Sequence, residues 1–500
     1  MARCTPWILL ALVALPSPWT AAGEEPDLEP AKTLLQGIRE QDVRRGAMIC
    51  AKANNVAAVK LLLGVLRRTK RHAGGALPPA HYRDIVWEAL VRITDPYARA
   101  RIRTELRTNA KQSWVRQWCA ELLGIYDDAA FAPALVAATS DRNAGVRRWA
   151  ARSLGMLRYE PATPALFKLI HKKDIYVRAN AIEALARIDP ERHVRTFRAA
   201  LERDPDGGVR CALLGAAAEI YPTRIVEDCT KALRDPDWRP RMQAVDNLAR
   251  LQTKVAVDRL VRATADARPV VAERAVLALQ RMTGKEIREP SGWVTWWAAS
   301  RESFAFPETT SGTDPEQRKG KGRTVAYGIP LVSDHVAFVL DKSQRMVDML
   351  EATHSTKNKA ALDELGRVLA KLHGRLVFNV FLYREDVKSL RKKPLALDPK
   401  SRKRALRFVA GEPPRGAKDI WKVLEAVVSD PDLDTAYLLS SGEPDTGLYV
   451  HWNRVTRHLR DLNRFHKVVV HTVVYSERKW YRDQLERIAQ ATGGRFKWFK

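Results

Sequence analysis

Oxygen donors that suit a metal ion follow a hydrophobic run in the second half of the sequence. The run HVAFVL is followed at once by Asp341, and Ser343 comes two residues later. Carboxylate and hydroxyl oxygens are the ligands that a hard divalent cation such as Mg²⁺ prefers. A third ligand would be expected two residues further on, but Arg345 stands there. The stretch therefore offers two metal ligands and one group that repels a metal.

Short apolar runs, alternating with amphipathic stretches, must position these residues. The predicted strands are HVAFVL (335–340), RLVFNVFLY (375–383), TAYLLS (435–440) and KVVVHTVVY (467–475). The stretches between them have helical periodicity, and the longest of these predicted helices runs from Met346 to His373. This alternation predicts a doubly wound parallel sheet with helices on both faces, whose functional residues gather at the C-terminal ends of the strands.

The order of these segments resembles a von Willebrand factor type A domain over about residues 325–500. IPLVSDHVAFVLDKSQRM is followed in turn by PPRGAKDIWKVLEAV, TAYLLSSGEPDTG, KVVVHTVVY and LERIAQATGGRFKWF. In that family a divalent cation is held by an Asp-x-Ser-x-Ser loop, a later threonine and an aspartate after a Leu-Leu-Ser/Thr run. The resemblance implies an α/β doubly wound domain that binds partners through this metal-ion-dependent adhesion site.

The resemblance also implies that the adhesion site is degenerate. Asp341 and Ser343 match the first two ligands, whereas Arg345 takes the place of the third. Lys418, in RGAKDIW, matches the threonine, and Ser441, in LLSSGEP, matches the second aspartate. A cation next to Mg²⁺ costs about 4 kcal/mol per unit of metal charge at an effective dielectric constant of about 20. We therefore expect no Mg²⁺ and no other cofactor, with Asp341, Ser343 and Ser441 as remnant ligand positions.

Two cations are candidates to replace the metal. We expect Arg345 or Lys418 to pair with Asp341, because a carboxylate buried at a strand end is costly without a partner. Alternatively, the loop receives an acidic group of a partner as a direct salt bridge, or the domain binds its partner elsewhere. The candidate residues of a binding surface are Asp341, Ser343, Arg345, Lys418 and Ser441.

The first half contains a repeat with a period of about 31 residues. Six copies begin at Val115, Val146, Val177, Val209, Pro240 and Val271. Apolar residues recur at i, i+4, i+8 and i+11, as in VRRWAARSLGML, and this spacing predicts an amphipathic helix in each copy. With a second helical stretch between copies, the period predicts an all-α helical-repeat solenoid, whose face made of one helix from each repeat can bind a partner.

The turns between copies contain aspartate and arginine at regular positions. The candidate helix caps are Asp174, Asp206 and Asp237, and the arginines that follow them are Arg178, Arg210 and Arg241. The pattern resembles HEAT-like repeats of the phycobilisome-lyase type over about residues 79–283. The resemblance implies a ladder of aspartate and arginine along the stack, and hence a structural role for these residues rather than metal binding or catalysis.

Composition divides the chain into four parts. These are a signal peptide (1–23), a HEAT-like solenoid (24–304, regular at about 110–283, with a tryptophan-rich cap at 284–304), a basic flexible linker (305–328) and a von Willebrand A domain (329–500). The signal peptide has Arg3 before a short apolar core, and an uncleaved anchor or a lipoprotein is the alternative. We therefore expect a bacterial exported protein, periplasmic or extracellular, with no transmembrane span in the mature chain.

Charge and cysteine content limit the partners. The net charge of +27 indicates a solvated basic surface, a binder of an anionic envelope polymer or lipid surface, or a nucleic-acid binder, and export argues against nucleic acid. Four cysteines remain once the signal is removed. They are too sparse for a disulfide framework and are expected as small core residues, with a single Cys211–Cys229 disulfide as the alternative.

The sequence contains no recognisable set of catalytic residues. No zinc-protease motif, nucleophile elbow, phosphate loop or dinucleotide fingerprint occurs in context. His451, His458, His466 and His471 crowd the last part of the chain, but without cysteine or paired carboxylates they are expected to be surface or packing residues. We predict a non-enzymatic exported scaffold for protein–protein interactions. The alternatives are a binder of an anionic envelope polymer and a lyase-like enzyme.

Overall fold

The computed structural model describes residues 26–37, 39–67, 79–108, 111–307, 325–350 and 354–499. The predicted signal peptide and most of the predicted linker lie outside these residues. Within them, a helical part is followed by an α/β part, which confirms the predicted multidomain fold. None of the helices in these stretches combines the length and the apolar character that crossing a membrane requires.

The helical part consists of short helices joined by turns. They are α1 (Glu29–Leu35), α2 (Glu40–Ala53), α3 (Val56–Leu66), α4 (Pro79–Val91), α5 (Pro96–Thr108), α6 (Ser113–Ile125), α7 (Ala132–Ala138), α8 (Ala144–Met156), α9 (Thr163–Phe167), α10 (Ile175–Ile188), α11 (Pro190–Arg203), α12 (Gly207–Ile220), α13 (Ile225–Ala232), α14 (Trp238–Leu248), α15 (Lys254–Ala263), α16 (Pro269–Thr283) and α17 (Pro290–Ser300). The six copies seen in the sequence are α6, α8, α10, α12, α14 and α16, each packed on the next. We call these the second helices of the repeats, and the predicted solenoid is confirmed.

The predicted apolar stripe of each second helix lies in the core. In α8, Val146, Ala150 and Leu154 are fully buried. Small residues let neighbouring helices approach closely, because a Cβ added to Gly155 would lie 2.7 Å from the Cα of Ala184 in α10. At the end of the stack, the tryptophans of α17 are packed into the same kind of core. The stack is therefore held together by the periodic apolar positions.

The turns contain the predicted caps and a ladder that uses other aspartates. Asp174, Asp206 and Asp237 accept hydrogen bonds from backbone N–H groups in the first turns of α10, α12 and α14. Arg178 instead binds Asp204 of the next turn through Nε and Nη2, at 2.7 and 2.8 Å. The equivalent rungs are Arg116–Asp141, Arg210–Asp235 and Arg241–Asp266. Each rung ties one repeat to the next through a bidentate contact.

One rung of the ladder is missing, between α8 and α10. Arg147 donates to the carbonyl oxygens of Asp141 and Arg142, but within the described part of the chain its buried Nε has no hydrogen-bond partner. The position equivalent to the aspartate of the other rungs is Lys172, which lies 31 residues after Asp141. The repeat therefore holds two cations where its neighbours hold an ion pair.

We expect Lys172→Asp to raise the free energy of unfolding by about 1 kcal/mol, because it supplies the missing partner of Arg147 and removes a like charge. Equilibrium denaturation in guanidinium chloride measures the change. Lys173→Asp makes the same change of charge one residue further on and should shift the free energy by less than about 0.5 kcal/mol. Equal shifts for the two variants would contradict the missing rung.

The second part of the chain, which we call the C-terminal domain, contains eleven strands and five helices among its described residues. The strands are β1 (Val325–Ala326), β2 (Ile329–Pro330), β3 (His335–Asp341), β4 (Met349–Leu350), β5 (Ser355–Thr356), β6 (Val377–Tyr383), β7 (Val387–Ser389), β8 (Leu395–Ala396), β9 (Thr435–Ser440), β10 (Val469–Val474) and β11 (Phe496–Trp498). The helices are α18 (Lys357–Lys371), α19 (Pro399–Ala410), α20 (Ile420–Val428), α21 (Trp452–His466) and α22 (Lys479–Thr492). All four predicted strands are present.

The main sheet has the strand order β11-β10-β9-β3-β6-β7 and is parallel from β11 to β6. Only β7 and β8 pair antiparallel with β6. In β3, Val336, Phe338 and Leu340 pack into the core with α18 and α19, whereas Ala337 and Val339 face α20 to α22. This alternation confirms the doubly wound fold with helices on both faces.

The predicted long helix from Met346 to His373 is wrong in its first part. A 3-10 turn and the antiparallel pair β4–β5 precede α18, which begins at Lys357. Thr356 caps α18, because its hydroxyl accepts a hydrogen bond from the Lys359 N–H at 3.2 Å. Serine and threonine side chains compete with helical backbone bonds and favour caps, so the apolar periodicity alone placed the helix start too early.

Candidate functional site

Asp341 lies at the end of β3, beneath loops that close over the C-terminal edge of the sheet. The loop after β3 is joined to the loop before α20 by a hydrogen bond from the Gln344 N–H to the Gly416 carbonyl, at 2.9 Å. The loop after β9 is joined to the same loop by the Asp445 N–H, which donates to the Lys418 carbonyl at 2.9 Å. These bonds hold the three loops together above Asp341.

Lys418 is the cation that contacts Asp341. Its Nζ lies 3.2 Å from Asp341 Oδ2 and 2.7 Å from Ser441 Oγ. Ser441 donates to the same Oδ2 from its N–H at 3.0 Å and its hydroxyl at 2.6 Å, and the Ser343 N–H donates to Oδ1 at 2.8 Å. All four residues are 3% exposed or less. The ammonium thus contacts the carboxylate that the sequence analysis offered as a metal ligand.

The ionisation of this pair follows from its partners. Burial alone would raise the pKa of Asp341, but the charge of Lys418 and the hydrogen bonds from Ser441 and Ser343 outweigh it, so the pKa is lowered. Burial lowers the pKa of Lys418 despite the neighbouring carboxylate. The four hydrogen bonds that Asp341 accepts all favour its ionised form, and the pair is therefore a buried salt bridge.

Arg345 pairs with a different carboxylate. Its Nη2 lies 2.9 Å from Asp445 Oδ1, and the charge of Asp445 and the neighbouring Tyr481 raise its pKa despite burial. Its side chain is 40% exposed, which makes Arg345 the one candidate of the five that presents appreciable surface. Asp445 was missed in the sequence, although it lies only four residues after Ser441 in SSGEPDTG. Only the folded loops bring it to Arg345.

The residues at this site do not fit a divalent cation. A metal on Asp341 would have to displace the Lys418 ammonium, which already contacts both Asp341 and Ser441. One carboxylate and two hydroxyls would then be the remaining oxygen side chains of the motif. A divalent cation does not fit because the Lys418 ammonium would lie a few ångströms from it, and like charges at that distance repel strongly in a buried site.

A second cluster with metal-ligand groups lies at the opposite end of β3. Ligand atoms of Asp334, His335 and Asp434 lie within 4.8 Å of one another. Arg268 of the solenoid donates from Nε to Asp434 at 2.6 Å, and its Nη1 lies 3.0 Å from His335 Nε2. The Arg268 guanidinium therefore lies where a metal ion would have to bind. It also joins the solenoid to the C-terminal domain.

The C-terminal domain packs on the solenoid face formed by the second helices of the repeats. α21 packs directly on α12, and one continuous buried cluster includes Trp118 and Leu154 of the solenoid together with Val455 and Leu459 of α21. The sequence suggested that this face could bind a partner. In the structure its occupant is the chain's own C-terminal domain.

Arg454 of α21 is held in an aromatic pocket of this interface. Its guanidinium carbon lies 3.8 Å from the ring centroid of Trp87, 4.1 Å from that of Trp118 and 4.9 Å from that of Tyr449. Its Nε lies 3.2 Å from Asp84 Oδ1. Arg454 and Asp84 are both buried, so this cation–π and ion-pair contact is shielded from water.

Asp84 also binds the backbone that leads into α21, from the other side of the interface. Its Oδ2 accepts hydrogen bonds from the N–H groups of Val450 and His451, at 2.8 and 2.9 Å. The cap residue His451 supplies no side-chain cap of its own. Backbone N–H groups shielded from water need acceptors, and here a residue of α4 provides one for the two N–H groups just before α21.

Further ion pairs cross the interface in both directions. They join Arg148 and Arg152 to Asp461, Glu183 to Arg464 (2.7 Å), Asp246 to Lys467 (2.9 Å) and Glu121 to Arg457 (3.3 Å). Each part of the chain contributes both cations and carboxylates. Each charge therefore faces an opposite charge across the interface, and this complementarity fixes how the two parts dock.

The histidines of α21 are packing residues of the same interface. His458 stacks on Tyr449 with ring centroids 3.8 Å apart, and burial together with nearby arginines holds its pKa well below the usual value. His466 Nε2 lies 2.8 Å from the Tyr176 hydroxyl, and burial lowers its pKa to about 4. Cys211 lies in the same interface, with its Sγ 3.3 Å from the Arg464 carbonyl oxygen. Cys211 and Cys229 are both free thiols, so the alternative of a Cys211–Cys229 disulfide was wrong.

The repeats of the solenoid match a known family. The family model of HEAT repeats matches residues 132–213 and 194–280. Residues 132–280 are HEAT repeats. The predicted order of HEAT repeats followed by a doubly wound α/β domain is thus confirmed. No curated protein matches the chain.

Several solved structures are similar to one part of the chain or the other. A von Willebrand factor type A structure from Catenulispora acidiphila is 17% identical, over 34% of this chain and 40% of that one, with a TM-score of 0.28. The CpcE–CpcF complex of phycocyanin lyase from Nostoc sp. PCC7120 is 20% identical, over 56% and 97%, with a TM-score of 0.26. Human deoxyhypusine hydroxylase is 19% identical, over 51% and 92%, with a TM-score of 0.26. This chain therefore spans less than half of the Catenulispora chain, and similarities this low assign no activity.

Proposed function

We propose that this chain is an exported, non-enzymatic scaffold for protein–protein interactions, and that its partner binds the C-terminal domain beside the buried Asp341–Lys418 pair. The proposal rests on one observation: the C-terminal domain already occupies the binding face of the solenoid. The second helices of the repeats, which in a solenoid offer the long binding face, are covered by the C-terminal domain. The loops at the C-terminal edge of the sheet retain exposed surface, and we call them the loop edge (344–349, 415–416, 443–446 and 477–481).

The loop edge combines charge with exposed apolar side chains. Val347 is 42% exposed and Trp480 is 51% exposed. Trp480 packs against Tyr481 with ring centroids 5.2 Å apart, and Arg345 lies in the same group of loops. Tryptophan, tyrosine and arginine are the residues most enriched at the centres of protein interfaces. The composition of the loop edge therefore supports protein recognition.

The proposal includes binding without a divalent cation. Lys418 supplies the positive charge at the remnant ligand positions, and Arg345 is the exposed cation above them. An acidic group of the partner would then bind Arg345 as a direct salt bridge, in competition with Asp445. Export rests on the N-terminal sequence, with Arg3 before an apolar core, and these residues lie outside the described part of the chain.

Site-specific photo-crosslinking in the exported fraction tests this function. We expect a crosslinker at Gln344 of the full chain to capture one partner, and Val347→Ser combined with Trp480→Ala to reduce capture about 10- to 30-fold, as removal of a hot spot does. The matched control is Tyr97→Ala combined with Val255→Ser, which changes exposed apolar residues of the solenoid. Capture should be unchanged in a chelator. An equal reduction of capture in the two double variants, or loss of capture in the presence of the chelator, would refute the proposal.

A further inference from the structure

We propose that a basic cleft between the solenoid and the C-terminal domain binds a multivalent oxyanion. The cleft has a volume of about 650 Å³ and lies between α14 and α16 on one side and α21 and α22 on the other. Its charged lining consists of Arg250, Arg274, Arg281, Arg460, Arg464, Lys467 and a single carboxylate, Asp246. It is separate from the loop edge, so it is a second site in addition to the proposed partner surface.

Three of the cations form the inner part of the cleft and already have carboxylate partners. Arg274 Nε and Lys467 Nζ lie 2.8 and 2.9 Å from the two oxygens of Asp246. Burial would raise the pKa of Asp246, but these two cations outweigh it and hold the pKa well below its usual value. Arg464 binds Glu183 at 2.7 Å. The single carboxylate is thus fully engaged and does not neutralise the other cations.

The other three cations have no such partner. Arg250, Arg281 and Arg460 are exposed, and within the described part of the chain their side chains make no ion pair or hydrogen bond. They come from the turn just after α14, the end of α16 and the middle of α21. Docking of the two domains therefore gathers three guanidinium groups around one opening, where they repel one another. A bound anion would remove that repulsion.

A glycine in the lining of the cleft leaves room for the side chain of Arg274. Gly493 ends α22 with a φ of +74°, a conformation that favours glycine. The guanidinium of Arg274 lies directly against Gly493, where a Cβ would make it shift. Gln252 and Gln490 add amide groups to the lining. The cleft is therefore polar as well as basic.

The chemistry of the lining defines the class of ligand. Guanidinium groups bind phosphate and carboxylate through paired N–H donors. Three of them around one opening fit a ligand with at least two anionic groups, and the volume is in the range of pockets for small molecules or one segment of a polymer. Phosphate and carboxylate groups share this chemistry, and the experiment distinguishes them.

Titration calorimetry on the full chain tests the site with tripolyphosphate, inorganic phosphate and citrate. We expect tripolyphosphate to bind at one site and at least about tenfold more tightly than inorganic phosphate, because several charge-assisted hydrogen bonds form at once. Arg250→Gln, Arg281→Gln and Arg460→Gln together should weaken its binding about 10- to 100-fold. Tighter binding of citrate than of tripolyphosphate would identify carboxylate as the natural group, and the reverse would identify phosphate.

The control removes the same charge elsewhere. Arg195, Arg203 and Arg404 are exposed and lie outside the cleft, on α11 and α19. The triple substitution of these three by glutamine should weaken binding less than about twofold. Equal weakening in the two triple variants would show only general attraction to a protein of charge +27 and would overturn the proposal. Absence of tripolyphosphate binding to the unaltered chain would overturn it as well.

Discussion

Lys418→Met is expected to lower the free energy of unfolding of the C-terminal domain by about 3–5 kcal/mol, because it leaves the Asp341 carboxylate buried without its counter-charge. Methionine has nearly the shape of the lysine stem, so packing around the site changes little. Chemical denaturation followed by circular dichroism measures the loss. Lys359→Met, which removes an exposed lysine of α18, is the matched control and should cost less than about 1 kcal/mol.

The pH dependence of stability tests whether the lost charge of Lys418 destabilises the Lys418→Met variant. In the unaltered chain the pKa of Asp341 is lowered, so its stabilising contribution is present above the unfolded value of about 3.9 and is lost as pH falls through the folded value. Without Lys418, burial should raise the folded pKa instead. The variant would then lose stability as pH rises above about 4, and the difference between the two proteins should shrink in acid. A difference that does not change with pH would mean that packing, and not charge, explains the loss.

Arg454→Ala is the second substitution with a large expected effect. It empties the pocket formed by Trp87, Trp118 and Tyr449 and leaves Asp84 buried without its ion partner. We expect the docking of the C-terminal domain on the solenoid to weaken by about 3–5 kcal/mol. In scanning calorimetry the two parts should then unfold in separate transitions rather than together.

Hydrogen exchange reports the same undocking at specific amides. The N–H groups of Val450 and His451 donate to Asp84, so their exchange should become faster in Arg454→Ala. Arg460→Ala is the control on the same helix, because Arg460 is exposed and lies at the rim of the cleft rather than in the aromatic pocket. If Arg460→Ala separated the transitions as strongly as Arg454→Ala, the aromatic pocket would not be the anchor of the interface.

Local regularities made much of this fold predictable. The period of about 31 residues gave the second helices, because each copy repeats the same apolar stripe. The strand at 435–440 was placed at its observed bounds, since a short, mostly apolar run with polar flanks has few alternatives. The start of α18 was misplaced because the apolar spacing continues through a threonine cap at Thr356.

The site was predictable only in part. The sequence offered Arg345 and Lys418 equally as partners of Asp341, and the folded loops bring Lys418 to it while Arg345 turns to Asp445. No local pattern separates the two cations, because Lys418 lies 77 residues from Asp341 in the sequence and reaches it only when the loops close over the sheet.

From the sequence alone came the two kinds of architecture, the order in which they occur and the prediction that Arg345 and Lys418 stand where metal ligands would be expected. These are properties of neighbouring residues, and periodicity or composition reveals them. The folded chain was needed to show that the C-terminal domain covers the second helices of the repeats, that Asp84 binds the backbone before α21, and that Arg250, Arg281 and Arg460 line one cleft. Each of these depends on contacts between side chains that lie far apart in the chain, and no repeat or motif records such contacts.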